Sequence, residues 1–114
     1  MHAYAHVSCD AEAAKRPAPD ERKQYPVATG VLSYFPKALM AVAHVSYVGN
    51  EQHNPGEPLH WDRSKSTDEA EALIRHFLAR GTVDTDGLRH SAKVAWRSLA
   101  LLEKELEAAE ALRR

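Results

Sequence analysis

The sequence predicts an all-α fold with three main helices, of which the last is long. Apolar residues recur at spacings of three and four in three separate segments, the period of a helix with one buried face. No segment alternates apolar with polar residues as a half-buried strand does. Of the 114 residues, 44% are apolar and 27% are charged, which is the usual balance of one globular domain.

The first 24 residues are expected to form a disordered tail, so that the helical domain spans residues 25–114. Charges of both signs alternate along this tail, and Pro17 and Pro19 interrupt it. It has no apolar periodicity, so it could bury too little surface to offset the entropy lost on ordering. A weak metal-ligand pattern also lies here, formed by His2, His6 and Cys9.

Charge and cysteine content narrow the class of protein. The chain has 15 basic and 16 acidic residues and a net charge of −1, which argues against a protein that coats extended nucleic acid. Its single cysteine excludes an internal disulfide framework. No segment has the pattern of a secretory signal or the roughly 18 apolar residues of a membrane helix. We therefore expect a cytoplasmic protein without a membrane partner.

The first helix is predicted from about Ser33 to Gly49. Pro36 suits its first turn, where the missing N–H costs no hydrogen bond. Gly49 is a natural terminator. The predicted apolar face comprises Phe35, Leu39, Val42 and Ser46.

The second helix is predicted from Thr67 to Arg80. Ser66 and Glu69 have the spacing of a capping box, in which each side chain bonds the other residue's backbone N–H. The residues that follow give the spacing of a helix with a buried stripe. That stripe comprises Ala70, Leu73, Ile74, Phe77 and Leu78.

The third helix is predicted from about Asp86 to the last residue, with Asp84 or Thr85 as its cap. Its apolar seam is longer than a neighbouring helix of about 14 residues could cover. The second half is therefore expected to pack on another copy of the chain, giving a homo-oligomer. The seam comprises Leu88, Ala92, Ala95, Leu99, Leu102, Leu106 and Ala109.

A long loop, residues 50–65, separates the first two helices and contains residues suited to ligand binding. Such loops are uncommon in small domains and are often functional. Glu51 could hold Mg²⁺ or Mn²⁺, and Trp61 could stack on a nucleobase. Arg63 and Lys65 could hold phosphate charge, and His53 lies in the same cluster. The alternative is that Trp61 only fixes the loop to the core.

A second polar cluster follows the helical period across the third helix. Asp86, His90, Lys93 and Arg97 recur at 4-3-4 spacing and would share one face, with His76 on the helix before. Asp86 would bind a metal ion, and the two cations would bind phosphate oxygens. Alternatively, His76 only bonds a backbone carbonyl, and Asp86 and His90 form an ordinary pair.

Six short motifs follow one another along residues 25–107. They are Tyr47-x-Gly49-Asn50-x-x-His53-Asn54, Trp61-x-Arg63, Arg75-His76, Asp84-x-Asp86-Gly87-Leu88-x-His90, Ala95-Trp96 and Leu101-Leu102-Glu103. In their order and residue types they resemble the dATP/dGTP diphosphohydrolase N-terminal domain family of phages and bacteria. The resemblance implies an all-α fold similar to MazG-like nucleotide pyrophosphohydrolases, which are oligomers.

The resemblance implies hydrolysis of a purine (deoxy)nucleoside triphosphate to monophosphate and pyrophosphate, with Mg²⁺ or Mn²⁺ as cofactor. The reaction would take place in the bacterial cytoplasm, or in the cytoplasm of the host if a phage encodes the protein. The paired Glu-x-x-Glu and Glu-x-x-Asp motifs usual in MazG proteins are absent from the first two helices. We therefore expect metal binding by Glu51, Glu69 and Asp86, and catalytic roles for His76 and His90. Nucleotide binding is expected from His53, Trp61, Arg63, Arg75, Lys93 and Arg97.

Two other hypotheses stay open at this point. One is a protein that binds and sequesters nucleotides without cleaving them. The other is a structural oligomerisation module that uses the seam of the third helix.

Overall fold

A computed structural model describes residues 18–113 and confirms the all-α prediction. No β-strand occurs among these residues, where the only β-type pairing is an isolated bridge between Val83 and Arg89. The chain divides into two compact units, Met1–Pro36 and Lys37–Arg114. The three α-helices are α1, Pro36–His53, α2, Glu69–Leu78, and α3, His90–Leu112.

The first unit contains two short helical turns in its described part. A 3₁₀-helix spans Pro19–Gln24, inside the predicted tail, and a π-helix spans Ala28–Leu32. Neither contains a buried residue. At Gly30 a Cβ atom would lie 3.1 Å from the ring of Pro26, so the close approach of the two residues favours glycine. The pattern of His2, His6 and Cys9 lies outside the described residues.

Helix α1 ends at His53, four residues beyond its predicted end at Gly49. The reason lies in Asn50, which is 7% exposed. Its Nδ2 donates to the carbonyl of Glu57 at 3.0 Å, and its Oδ1 accepts from the N–H of His60 at 3.3 Å. Asn50 therefore fixes the following loop instead of ending the helix.

Helix α2 is shorter than predicted and turns a different side toward the protein. Ser66 does not form the predicted capping box, because its Oγ donates to Oε2 of Glu69 at 2.6 Å and Asp68 occupies the N-cap position. Glu69 and Ala72 are the buried residues of the helix. Most of the predicted buried stripe is exposed, namely Ala70, Ile74, Phe77 and Leu78.

Helix α3 begins at His90, four residues after its predicted start at Asp86. A tight turn takes the place of the first predicted helical turn. The N–H of Asp84 donates to the carbonyl of Leu88 at 2.7 Å, and the N–H of Gly87 donates back to Asp84 at 3.0 Å. Gly87 has φ of +85°, a conformation that glycine adopts without a steric penalty.

A buried carboxylate joins α2 to α3. Glu69 is 4% exposed, and its Oε1 accepts from Nη1 of Arg97 at 2.7 Å while its Oε2 accepts from Nζ of Lys104 at 2.8 Å. Burial by itself would raise the pKa of Glu69, but these hydrogen bonds, above all that from Lys104, lower it below its usual 4.5. Within residues 18–113, the fully apolar part of the core is small and consists of Ala72, Leu88 and Ala100.

Helix α1 is connected to α3 by a side-chain hydrogen bond, from Nε1 of Trp96 to Oγ of Ser46 at 2.8 Å.

Within residues 18–113, no single helix is long and apolar enough to cross a membrane. The segments Pro19–Leu32 and Pro36–His53 meet that length and composition only when they are counted together across the break between them.

The Glu69→Gln variant should lose about 3 kcal/mol of unfolding free energy near pH 7, because Arg97 and Lys104 keep their charges without the carboxylate. Breaking a buried ion pair by removing one partner costs about 3–5 kcal/mol. We use the lower end of that range because both cations are 28% exposed. Urea denaturation measures this loss.

The same variant should also change the pH dependence of stability. Since the folded pKa of Glu69 lies below 4.5, its ionised form stabilises the wild type above about pH 5, and this contribution is lost as the pH falls below 4.5. The acid-side fall in melting temperature should therefore be smaller in Glu69→Gln. Glu71→Gln, an exposed change on the same helix, is the control, and equal effects in both variants would contradict the assignment.

Candidate functional site

A cavity of about 520 Å³ lies in the second unit, between the end of α1, the loop that follows it and the first half of α3. This volume is within the range of about 300 to 1,000 Å³ that small-molecule sites occupy. Six of the predicted site residues line it: His53, Trp61, His76, Asp86, Lys93 and Arg97.

The loop wall of the cavity is held by short local hydrogen bonds in addition to Asn50. Ser64 donates to Oδ1 of Asp62 from both its N–H, at 3.0 Å, and its Oγ, at 2.6 Å. The hydrogen bond from the Ser64 side chain lowers the pKa of Asp62 below its usual value. This turn directly follows Trp61, so it helps to fix the position of that ring.

Two tryptophans form an aromatic wall. The rings of Trp61 and Trp96 meet edge to face, with centroids 5.5 Å apart and planes at 75°. The guanidinium of Arg63 lies 4.0 Å from the centroid of Trp61, and its Nη2 bonds Glu107 at 3.0 Å. These contacts agree with the alternative in which Trp61 fixes the loop to the core, and they leave the ring as part of the cavity wall.

Another part of the cavity wall is charged and centres on Lys93. Its Nζ lies 2.7 Å from Oδ2 of Asp84 and 2.7 Å from Oδ2 of Asp86. The hydrogen bond from Lys93, helped by the N–H of Thr85, lowers the pKa of Asp84 to about 2, and Lys93 also lowers that of Asp86. Burial would lower the pKa of Lys93, but its two carboxylate partners raise it. All three groups are therefore charged near pH 7.

A pair of histidines lies beside this charged wall. Nδ1 of His76 is 2.9 Å from Nδ1 of His90, and Nε2 of His90 is 3.9 Å from Oδ1 of Asp84. Burial lowers the pKa of His76, and the nearby charge of Lys93 lowers it further. A neutral imidazole is therefore favoured at His76, and one of the two rings must carry its proton on Nδ1 if they share a hydrogen bond.

Comparison with models of protein families shows which family the chain belongs to. Residues 2–114 match the model of a family described as dATP/dGTP diphosphohydrolase, N-terminal. The chain belongs to this family. No curated protein and no solved structure matches it. The match includes every residue of the cavity wall and also the segment that was predicted to be a tail.

The structure does not bring the predicted metal ligands of this dATP/dGTP diphosphohydrolase family member together. Glu51 is exposed on α1, and both carboxylate oxygens of Glu69 already accept hydrogen bonds from cations. Asp86 alone of the three lines the cavity. Across residues 18–113, these three do not form a group whose ligand atoms converge, so they do not fit a common cage for a hard metal ion.

Two predicted nucleotide ligands also lie away from the cavity wall. Arg63 is placed over Trp61, and Arg75 is exposed and pairs with Asp68 at 3.4 Å. Conversely, the prediction did not assign Asp84 or Asn50 to the site. The signal for Asp84 was its place in the Asp-x-Asp-Gly-Leu motif, where it was interpreted as a helix cap.

The Asn50→Ala variant should destabilise the protein by about 2 kcal/mol, because it removes two hydrogen bonds and leaves a partly buried N–H and carbonyl unpaired. Chemical denaturation gives the magnitude. Amide hydrogen exchange should show faster exchange at His60. Glu51→Ala, an exposed change at the next position, should affect neither measurement, and slow exchange at His60 in Asn50→Ala would refute the anchoring role.

Proposed function

We propose that the protein hydrolyses a purine deoxynucleoside triphosphate to the monophosphate and pyrophosphate in this cavity, with Mg²⁺ or Mn²⁺. The observation that carries the proposal is one cavity whose wall contains both the aromatic pair of Trp61 and Trp96 and the cations Lys93 and Arg97. Such a site offers surfaces for a base and positive charge for a phosphate chain. The family to which the chain belongs supports the choice of substrate.

The phosphate chain would lie along the cationic part of the wall. Lys93, Arg97 and Lys65 all line the cavity. Arg97 is held in place by Glu69, and Lys93 is held by its two carboxylates. Because these cations are already positioned, they would bond phosphate oxygens with little reorganisation. A bound divalent cation would offset the charge of the two carboxylates that pair with Lys93.

The base would lie against the aromatic and amide part of the wall. Trp96 is fixed by its hydrogen bond to Ser46, and Trp61 meets it edge to face. Gln52 and Asn54 also line this cavity and carry amide groups that can donate to and accept from a base edge. Discrimination of a purine from a pyrimidine would come from these amides, since any base can stack on an aromatic ring.

In the reaction, the oxygen of water forms a bond to the α-phosphorus, and the bond from that phosphorus to the bridging oxygen of the β-phosphate breaks. Pyrophosphate leaves with the bridging oxygen, and the attacking water gives up a proton to the solvent. A bound divalent cation would polarise the phosphate oxygens and lower the pKa of the attacking water. His76 and His90 act at the edge of the cavity, either by orienting this water or by holding the cation.

The sequestering alternative has one observation in its favour. The predicted carboxylate ligands do not converge, and Lys93 already pairs with Asp84 and Asp86, which leaves less carboxylate charge for a hard cation. A protein built in this way could bind a nucleotide without cutting it. The two functions differ in turnover, so a single assay separates them.

The test is pyrophosphate release from dGTP, dATP and pyrimidine triphosphates with Mg²⁺ or Mn²⁺. Lys93→Gln should lower kcat/KM roughly tenfold to hundredfold, the effect of losing one hydrogen bond to a charged group. Lys37→Gln, an exposed change at the start of α1, is the matched control. Stoichiometric binding without turnover would favour sequestration, and absence of both would favour the structural module.

We also propose that the chain forms a homo-oligomer through α3. This helix is about 35 Å long and α2 is about 15 Å long, so α2 covers less than half of it. Leu99, Leu102 and Leu106 follow helical spacing and are each at least half exposed in the single chain. A second copy of the same seam would cover them.

Leu102→Glu should shift the protein toward monomer, because a charge in the middle of an apolar interface must be desolvated. Sedimentation velocity at several concentrations measures the shift. Leu112→Glu, at the 88% exposed end of the helix, serves as the control. A wild-type chain that remains monomeric at about 100 μM would contradict the oligomer.

A further inference from the structure

We propose that His76, Asp84 and His90 form a binding site for a first-row transition-metal ion such as Mn²⁺, Co²⁺ or Zn²⁺. Each of these residues offers one ligand atom, and the three atoms lie within 4.8 Å of one another. They form the one such group found in residues 18–113. The site differs from the set of carboxylates that the sequence predicted.

The backbone holds the three ligands in place before any ion binds. His76 belongs to α2, His90 is the first residue of α3, and Asp84 lies in the turn between them. The N–H of His90 donates to the carbonyl of Thr82 at 3.1 Å, and two further hydrogen bonds, from Asp84 to Leu88 and from Gly87 to Asp84, close the turn. A site supplied by two packed helices and a closed turn loses little entropy when it binds an ion.

The donor atoms select the class of ion. Two imidazole nitrogens and one carboxylate oxygen suit divalent transition metals, whereas Mg²⁺ prefers oxygen ligands. Two nitrogens that each bind an ion at about 2.0–2.1 Å lie about 3 Å apart when the ligand angle is near 90°. The Nδ1 atoms of His76 and His90 are 2.9 Å apart.

Local charge also favours a cation. Asp84 and Asp86 are both ionised and face a single ammonium, that of Lys93, so their immediate cluster has a formal charge of −1. The hydrogen bond from Lys93 goes to Oδ2 of Asp84, and the proposed site needs one oxygen atom of that carboxylate as a ligand.

The site would lie beside the cavity, whose wall includes His76 but neither of the other two ligands, and would have open coordination positions. Three protein ligands leave room for a water molecule or a phosphate oxygen, as in catalytic metal sites. His76 and Lys93 both line the cavity. The inference stands independently of the proposed hydrolysis, because a cation can bind here whether or not a nucleotide is cleaved.

The experiment uses the full chain without an affinity tag, stripped of metal with a chelator. Calorimetric titration with Mn²⁺ and Co²⁺ should show one ion per chain, and a hundredfold excess of Mg²⁺ should not displace it. His90→Gln and Asp84→Asn should each weaken binding by at least tenfold. His44→Gln, an exposed histidine outside the cavity, and the double variant His2→Gln/His6→Gln should leave binding unchanged.

A second measurement needs no variant. In nitrogen-15 NMR of the histidine side chains, Zn²⁺ should shift the ring signals of His76 and His90 and leave that of His44 unchanged. Shifts of other histidines only, equal affinity for Mg²⁺, or unchanged binding in both ligand variants would overturn the site and leave the two rings as a hydrogen-bonded pair. Circular dichroism checks that each variant is folded.

Pyrophosphate release, measured on the same samples, separates this inference from the proposed function. One bound ion with no hydrolysis supports the site and refutes the hydrolase. Hydrolysis at the wild-type rate in a variant that binds no ion supports the hydrolase and refutes a role for this site in it.

Discussion

The carboxylate of Glu69, buried between α2 and α3, sets how these two helices align. Its hydrogen bonds to Arg97 and Lys104 cross from the start of α2 to the middle of α3. His76 lies seven residues after Glu69, and His90 lies seven residues before Arg97, so two helical turns separate the two contacts on each helix. We call Glu69, Arg97 and Lys104 the ion cluster. In an antiparallel pair of helices, fixing the contact of Glu69 with Arg97 also fixes the contact of His76 with His90, so the histidine pair depends on the ion cluster.

This dependence matters because the apolar core is too small to specify the alignment. Among the residues that the structure describes, Ala72, Leu88 and Ala100 are the ones both buried and apolar, and so small a set provides little of the shape complementarity that selects one packing. A buried carboxylate with two cationic partners is costly when it is misaligned, because it would lose its hydrogen bonds without regaining water. Specific polar contacts thus replace large apolar side chains as the feature that selects one packing.

The sequence was sufficient to predict the class of fold and the number of main helices, because these follow from the local period of apolar residues. It did not predict which side of α2 is buried. That interpretation assumed that the apolar stripe faces the core, whereas Ile74, Phe77 and Leu78 are exposed in the single chain and the side with Glu69 and Ala72 faces α3. Helix ends were wrong for a related reason: the role of Asn50 depends on partners seven and ten residues away.

The candidate site shows the same division between local and tertiary information. Helical spacing correctly grouped Lys93 and Arg97 on the cavity wall, since both lie on one helix. Asp86 reaches Lys93 although it precedes the helix, because the turn at Gly87 brings it back toward α3. The contact between the two histidines, from separate helices, could not be derived from spacing along either helix. Asp84 was missed because a residue before a helix is most simply interpreted as a cap.

The alignment of α2 and α3 has a consequence for the changes in length that this chain can accept. One residue inserted between Glu69 and His76 would rotate the second half of α2 by about 100° and advance it by about 1.5 Å. Either the ion cluster or the histidine pair could then form, but not both. An insertion in the connection 79–81 would leave both contacts possible, since no helix joins them there. Homologous chains should therefore vary in length in this connection and keep the seven-residue interval within α2.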